Sequence, residues 1–163
     1  MRLSILYSSR YGSTQLAAEA IARGCEDRDI APSDIELRDV REDSGMPAGE
    51  IVVIGAPIYG GTIPKAVSRF VEANLDSLLD RRVGIYLSCL YDGERAEKQL
   101  ADNFPARLIA HSFGQYYVGG RVELTQLRWL DRVIMKRVGG IDHDVDKTNP
   151  AEIRRLIDDV SAL

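Results

Sequence analysis

Cysteine is scarce in this chain, which has Cys25 and Cys89 among its 163 residues. Two cysteines are too few for a disulfide framework, so we expect buried free thiols in a reducing cytoplasm. No apolar run approaches the ~18 residues that a membrane-spanning helix requires. The residues after Met1 enter a strand-like run directly, which argues against a secretory leader.

Excess positive charge is missing as well. The chain carries 25 acidic and 21 basic side chains, a net charge of −4, whereas a dedicated nucleic-acid binder is strongly basic. Histidine occurs only at His111 and His143. The acidic residues beside His143 (Asp142, Asp144 and Asp146) lack the spacing of recognised metal sites, so we expect no metal. No catalytic triad or cysteine–histidine pair can be assembled, so no catalytic residue is predicted.

Five short β-type runs alternate with helical or loop segments. They cover Leu3–Tyr7, Ile35–Asp39 and residues 51–55, 82–89 and 115–119. The third run is continuously apolar, which is typical of a strand covered on both faces. This alternation predicts right-handed βαβ units. We therefore predict one α/β domain over residues 1–163, a three-layer sandwich with a five-stranded parallel sheet of order 2-1-3-4-5.

Capping signals predict where helices begin. Ser13 is placed to cap the helix after the first strand, and Pro64 to take the first helical position after the third strand. Near the C-terminus, Asn149 as N-cap, Pro150 as first helical residue and Glu152 three residues beyond the cap form a complete start signal.

The strand order also predicts where a ligand binds. In a doubly wound sheet, ligands bind at the carboxyl ends of the strands where the order reverses. Here these are the ends of strands one, three and four. The loops that follow them are the first loop (residues 8–14), the second loop (residues 56–64) and the third loop (residues 88–93).

The first loop is rich in hydroxyl groups and has a single glycine. Ser8, Ser9, Ser13 and Thr14 can donate to phosphate oxygens, and the helix start adds unpaired N–H groups. The glycine patterns of pyrophosphate-binding and Walker loops are both absent. A terminal monophosphate is therefore favoured, with simple helix capping as the alternative.

The pattern Ser9-x-x-Gly12-x-Thr14 resembles the phosphate loop of the flavodoxins, which holds the monophosphate of FMN. Tyr11 stands where that family usually has threonine, so one hydroxyl donor is displaced or lost. The resemblance implies non-covalent FMN, with its phosphate bound by the following residues: Ser9, Arg10, Tyr11, Gly12, Ser13 and Thr14.

The resemblance covers nearly the whole chain and includes the other two loops. It implies that the flavin ring lies between them, stacked on tyrosines and hydrogen-bonded by peptide groups of the second loop. The alternative for each loop is an ordinary turn with a tyrosine on the surface. The implied ring-binding residues are Pro57, Ile58, Tyr59, Gly60 and Gly61 in the second loop, and Ser88, Cys89, Leu90, Tyr91 and Gly93 in the third.

Residues 124–140 are similar to part of one subgroup, the flavodoxin-type menaquinone-dependent protoporphyrinogen oxidases. These carry a similar Arg-Trp-x-Asp-Arg run, then a basic helix and Gly-Gly, which ordinary short flavodoxins lack. The helix here is about one turn shorter, so the oxidase activity does not simply transfer.

Arg128, Arg132 and Lys136 recur every four residues and form a basic stripe beside the apolar Trp129 and Ile134. Such a helix can lie on an anionic membrane or meet the propionates of a porphyrin. We favour the alternative in which the helix docks on its own sheet, with Trp129 and Ile134 buried and the basic stripe in solvent.

Three functions stay open. The first is an FMN electron carrier acting between redox partner proteins or a quinone, which needs no acid–base residue. The second is protoporphyrinogen IX oxidation with a quinone acceptor, and the third is a non-redox anion- or nucleotide-binding module. We rank electron transfer first because no proton-handling cluster is visible. Whether the chain is an enzyme stays open. We expect a cytoplasmic protein, with peripheral membrane contact through the basic stripe as the alternative.

Overall fold

The computed structural model describes residues 1–163, apart from the side chains at positions 138 and 139. The strands are β1 (Leu3–Tyr7), β2 (Ile35–Asp39), β3 (Ile51–Pro57), β4 (Arg82–Ser88), β5 (Gly114–Tyr117), β6 (Arg121–Val122) and β7 (Val145–Asp146). The helices are α1 (Ser13–Glu26), α2 (Lys65–Leu79), α3 (Gly93–Asn103), α4 (Ala106–His111), α5 (Trp129–Gly139) and α6 (Pro150–Ser161).

Strands β1 to β5 form a parallel sheet in the order β2-β1-β3-β4-β5, which confirms the predicted fold. All seven residues of β3 are buried, as its continuous apolar run predicted, while the edge strand β2 is partly exposed. Ile5 of β1 pairs with Leu37 on one side and Val53 on the other. The register brings the carboxyl ends of β1, β3 and β4 to one edge of the sheet.

Helices cover both faces of this sheet. On one face, Phe70 of α2 packs with Ile54 of β3. On the other, Leu156 of α6 and Ile21 of α1 pack with Ile5. Each such buried side chain stabilises the fold by roughly 1.5–3 kcal/mol. The two cores hold the carboxyl edge of the sheet, and hence the three loops, in fixed positions.

The start of α1 differs from the prediction. Gly12 is the N-cap, with φ 90°, and Ser13 is the first helical residue. The prediction that Ser13 caps the helix was wrong, because its Oγ accepts a hydrogen bond from the backbone N–H of Arg121 at 3.1 Å instead. The first turn of α1 consequently has no side-chain cap.

The predicted start of α2 was wrong by one residue, and the predicted start of α6 is confirmed. Pro64 has ψ 138° and lies at the N-cap of α2 rather than at its first helical position, because an extended ψ is incompatible with the helix. Asn149 caps α6 as predicted. Its side chain accepts from the backbone N–H of Glu152 at 3.4 Å, and Pro150 is the first helical residue.

Strands β6 and β7 were not predicted. They pair antiparallel, with Arg121 opposite Asp146 and Val122 opposite Val145. This small ribbon joins the two ends of the segment that contains α5. In the part of the chain that the structure describes, no helix combines the length and apolar character needed to cross a membrane.

The expectation that α5 docks on its own sheet was wrong. Trp129 is 72% exposed, and Leu130, Val133 and Ile134 are exposed as well. The reason is the position of the helix, which lies in the segment between β6 and β7 and packs against the first and second loops instead of a sheet face. Both its basic stripe and its apolar side chains are therefore exposed to solvent.

Candidate functional site

The three loops meet at the carboxyl edge of the sheet. Because β3 lies between β1 and β4, the second loop is flanked by the first and the third. All the predicted site residues are thus brought to one end of the domain.

The first loop holds polar side chains that are unusually buried. Ser8, Ser9 and Thr14 are 2%, 6% and 0% exposed. Ser9 Oγ accepts from the backbone N–H of Gly12 at 3.0 Å, and this contact shapes the turn. Since α1 has neither a side-chain cap nor an acidic residue in its first turn, its positive end is available to an anion.

Thr14 carries the clearest sign of a missing partner. Its Oγ1 is buried and has no hydrogen-bond partner, and Ser88 Oγ in the third loop shares this property. The Tyr86 hydroxyl donates to the backbone oxygen of Thr14 at 2.9 Å, which fixes the backbone and leaves the hydroxyl available. A buried unpaired polar group costs about 1–3 kcal/mol. We interpret the Thr14 hydroxyl as a ligand-binding group.

Arg10 and Tyr11 point towards α5. Arg10 Nη1 lies 3.3 Å from Asp131 Oδ2, and the Tyr11 hydroxyl donates to the same oxygen. Burial, together with the hydrogen bond to Asp131, raises the pKa of Tyr11. Tyr11 thus uses its hydroxyl to hold the helix. The predicted phosphate contacts of both side chains stay predictions, and they must compete with Asp131.

The second loop turns tightly at two glycines. The backbones of Tyr59 and Thr62 exchange hydrogen bonds of 2.9 and 3.1 Å. Gly60 and Gly61 between them have φ of 57° and 81°, as the type I′ turn requires. A Cβ at either glycine would meet nothing within 4 Å. The space beside both glycines is therefore open, while the Gly61 carbonyl already accepts from Asn103 Nδ2 at 3.0 Å.

Tyr59 supplies an aromatic wall beside this turn. Its ring meets the ring of Tyr11 edge-on, with centroids 5.8 Å apart. Burial raises the pKa of Tyr59 to about 12, so its phenol is neutral at physiological pH. Stacking of a flavin ring on Tyr59 stays a prediction.

The third loop is covered by a residue that the sequence analysis missed. The guanidinium of Arg95 lies over the Tyr91 ring, with Cζ 3.6 Å from the ring centroid. One face of the predicted stacking residue is therefore already taken. The Cys89 thiol donates to the backbone oxygen of Tyr91 at 3.3 Å, and burial raises its pKa, which suits a packing role.

Two cavities adjoin these loops. The ring cavity, of about 220 Å³, lies between the second and third loops and is lined by Ile58, Gly60, Gly61, Cys89, Leu90, Tyr91, Arg95, Gln99, Ile134, Met135 and Ile141. A cavity of about 250 Å³ lies between the first loop, the second loop and α5, and is lined by Tyr11, Tyr59, Gly60, Val122, Leu127, Asp131, Ile134 and Met135. Helix α5 contributes to both.

The residues present fit a flavin monophosphate. An uncapped helix start and an unpaired buried hydroxyl suit a phosphate, and the neighbouring ring cavity suits a planar ring. Among the described residues, no three His, Cys, Asp or Glu side chains come together as a metal site would require.

A comparison with known protein families matches residues 4–149 to the flavodoxin domain. The chain belongs to the flavodoxin domain family. Flavodoxin domains bind FMN, so the cofactor prediction is confirmed at the level of the family. The match does not single out the protoporphyrinogen oxidase subgroup.

A similar curated protein is the putative diflavin flavoprotein A 4 of Nostoc sp. (strain PCC 7120), 29% identical over 98 residues. The match covers 58% of this flavodoxin domain and only 17% of that relative, which is a much longer protein.

Two solved structures are similar in fold. The rubredoxin oxygen:oxidoreductase of Desulfovibrio gigas superposes with a TM-score of 0.53 at 14% identity, over 98% of this chain and 37% of that chain. Oxidised flavodoxin 1 of Bacillus cereus gives a TM-score of 0.51 at 18% identity, over 87% of this chain and 100% of that chain. The domain therefore shares its architecture with small flavodoxins and with parts of larger enzymes.

Proposed function

We propose that this domain binds FMN at its three loops and carries electrons between redox partners. The observation that carries the proposal is the buried, unpaired Thr14 hydroxyl at the uncapped start of α1, at the same edge of the sheet as the ring cavity. When bound, FMN supplies the redox chemistry, and the protein supplies binding, orientation and electrostatics.

The roles of individual residues follow from their contacts. Thr14 Oγ1 donates to a phosphate oxygen, while Ser9 holds the Gly12 backbone in the left-handed conformation that opens the turn. Tyr86 anchors the Thr14 backbone from the sheet. The second loop meets the ring through Ile58, Gly60 and Gly61, which line the ring cavity.

The test is a flavin titration of the purified chain, followed by quenching of flavin fluorescence. We expect FMN to bind at least about tenfold more tightly than riboflavin, because riboflavin lacks the phosphate and tenfold corresponds to about 1.4 kcal/mol. Equal affinities would contradict the phosphate site. Binding of inorganic phosphate without any flavin would favour the non-redox anion-binding module.

Protoporphyrinogen oxidation with a quinone acceptor is the second candidate. The observation that favours it is α5, because its Ile134 lines the ring cavity while Trp129, Arg132 and Lys136 of the same helix are exposed. Turnover of protoporphyrinogen with a menaquinone analogue would support it. Stoichiometric electron delivery to a one-electron acceptor protein, without such turnover, would support the carrier.

We also propose that the basic stripe of α5 makes peripheral contact with anionic membranes. Basic residues near such a surface contribute about 1 kcal/mol each. Replacing Arg128, Arg132 and Lys136 with Gln should release the protein from anionic vesicles in a co-sedimentation assay. The control replaces three exposed basic residues of α2, α3 and α4, namely Arg69, Lys98 and Arg107. Equal vesicle binding by all three proteins would contradict the contact.

A further inference from the structure

The ring cavity has an electrostatic bias. Of the described residues that line it, Arg95 alone carries a charge at neutral pH, and the other side chains are apolar or neutral. The whole chain, by contrast, has a net charge of −4. A single cation thus faces the space between the second and third loops.

Arg95 is held in place but not neutralised. Its guanidinium stacks on the Tyr91 ring at 3.6 Å, a geometry that orients a planar cation. Within the described part of the chain it makes no salt bridge, whereas Lys98 on the same helix pairs with Asp102 at 2.5 Å. The charge of Arg95 is therefore available to a group in the cavity.

Gln99 gives a second, independent sign of a ligand. It lies one turn after Arg95 on α3 and lines the same cavity. Its Oε1 is buried without a hydrogen-bond partner. Residues four apart share a helix face, so α3 presents a cation and an unpaired amide oxygen side by side.

We propose that Arg95 sets the reduction potential of the bound FMN by stabilising its reduced, anionic form. Two-electron reduction delivers two electrons and one proton to the ring, so the reduced ring carries one more negative charge than the oxidised ring. A cation beside the ring binds the reduced form better, and charge near the ring is one of the ways in which proteins tune a flavin. Arg95 thus makes the domain a better electron acceptor. This inference rests on FMN binding as proposed above.

The test compares Arg95→Gln with Arg95→Lys and with the control Lys98→Gln. The midpoint potential of bound FMN is measured by equilibration with reference dyes, and the dissociation constant of oxidised FMN by fluorescence titration. Arg95→Gln should weaken reduced FMN about tenfold relative to oxidised FMN, which lowers the two-electron midpoint by about 30 mV. Arg95→Lys keeps the charge, so its midpoint potential should lie closer to the wild type than to Arg95→Gln. Lys98→Gln should leave the midpoint potential unchanged.

The outcomes separate the two proposals. Unchanged potentials in Arg95→Gln, with FMN still bound, would overturn the role of Arg95 and leave FMN binding intact. An equal shift in Lys98→Gln would also overturn it, because it would show a general surface-charge effect. If Arg95→Gln fails to fold, Arg95→Lys still tests the proposal: because it keeps the charge, a midpoint about 30 mV or more below the wild type would count against it. A wild-type protein that binds no FMN would overturn both proposals.

Discussion

Replacing Thr14 with Val should move two properties in opposite directions. The substitution keeps the shape of the side chain and removes the hydroxyl. In the protein without flavin that hydroxyl is fully buried and unpaired, so its burial cost of about 1–3 kcal/mol is relieved. Thr and Val have similar helix propensities, so the helix itself is little affected. We therefore expect the flavin-free variant to be more stable by about 1 kcal/mol or more.

FMN binding should weaken in the same variant. A hydrogen bond to a charged group contributes about 1.5–3 kcal/mol, and its loss corresponds to roughly a 10- to 150-fold increase in the FMN dissociation constant. Urea unfolding of the flavin-free protein, followed by circular dichroism, measures the first effect, and fluorescence titration measures the second. Riboflavin affinity should stay unchanged because riboflavin has no phosphate.

The matched control is Thr125→Val, at an exposed position in the segment between β6 and α5. It should alter stability by no more than about 0.5 kcal/mol and leave FMN affinity unchanged. The reasoning would be refuted if Thr14→Val destabilised the flavin-free protein while FMN bound as before. That result would make the hydroxyl a structural group.

Four further predictions concern Asp131, Gly61, Cys25 and Tyr59. Asp131→Asn removes the ion pair with Arg10, worth about 0.5–1 kcal/mol, and frees Arg10 to bind the phosphate. FMN should then bind about two- to fivefold more tightly in a fluorescence titration. Weaker binding would contradict this. Gly61→Ala places a side chain at φ 81° and should cost about 1–2 kcal/mol in urea unfolding, and no loss would argue against the turn. Burial raises the pKa of the Cys25 thiol to about 11. A thiol reagent at pH 8 should therefore label Cys25 only when the protein unfolds. Fast labelling of Cys25 in the native protein would show that the thiol is accessible. The pKa of Tyr59 rises from 10.0 to about 12 on folding. Its contribution to stability is therefore complete below pH 10 and is lost between pH 10 and 12. Unfolding measured across this pH range should show a smaller loss of stability in Tyr59→Phe than in the wild type.

Much of the fold could be predicted because local patterns and tertiary structure agree. The continuous apolar run of β3 predicted a strand buried on both faces, and Asn149, Pro150 and Glu152 predicted the start of α6. The prediction that Ser13 caps α1 was wrong for a physical reason. Its Oγ is drawn to the backbone of Arg121, a contact 108 residues away that no local pattern reports.

The candidate site was predicted where loops follow strands and missed where other elements cover them. Asp131 and Met135 reach the site because α5 lies against the first and second loops, in a segment whose two ends pair as the β6–β7 ribbon. The amphipathic pattern of α5 could not distinguish a helix that docks on its sheet from one that lies beside the sheet edge. Arg95 and Gln99 had a weak signal, their spacing of four residues on the helix that follows the third loop.

The most direct test of FMN binding at the three loops is the crystal structure of the FMN complex. We expect a phosphate oxygen within hydrogen-bond distance of Thr14 Oγ1 and the flavin ring between the second and third loops. Well-defined FMN with its phosphate away from the start of α1, or its ring outside the ring cavity, would contradict the account.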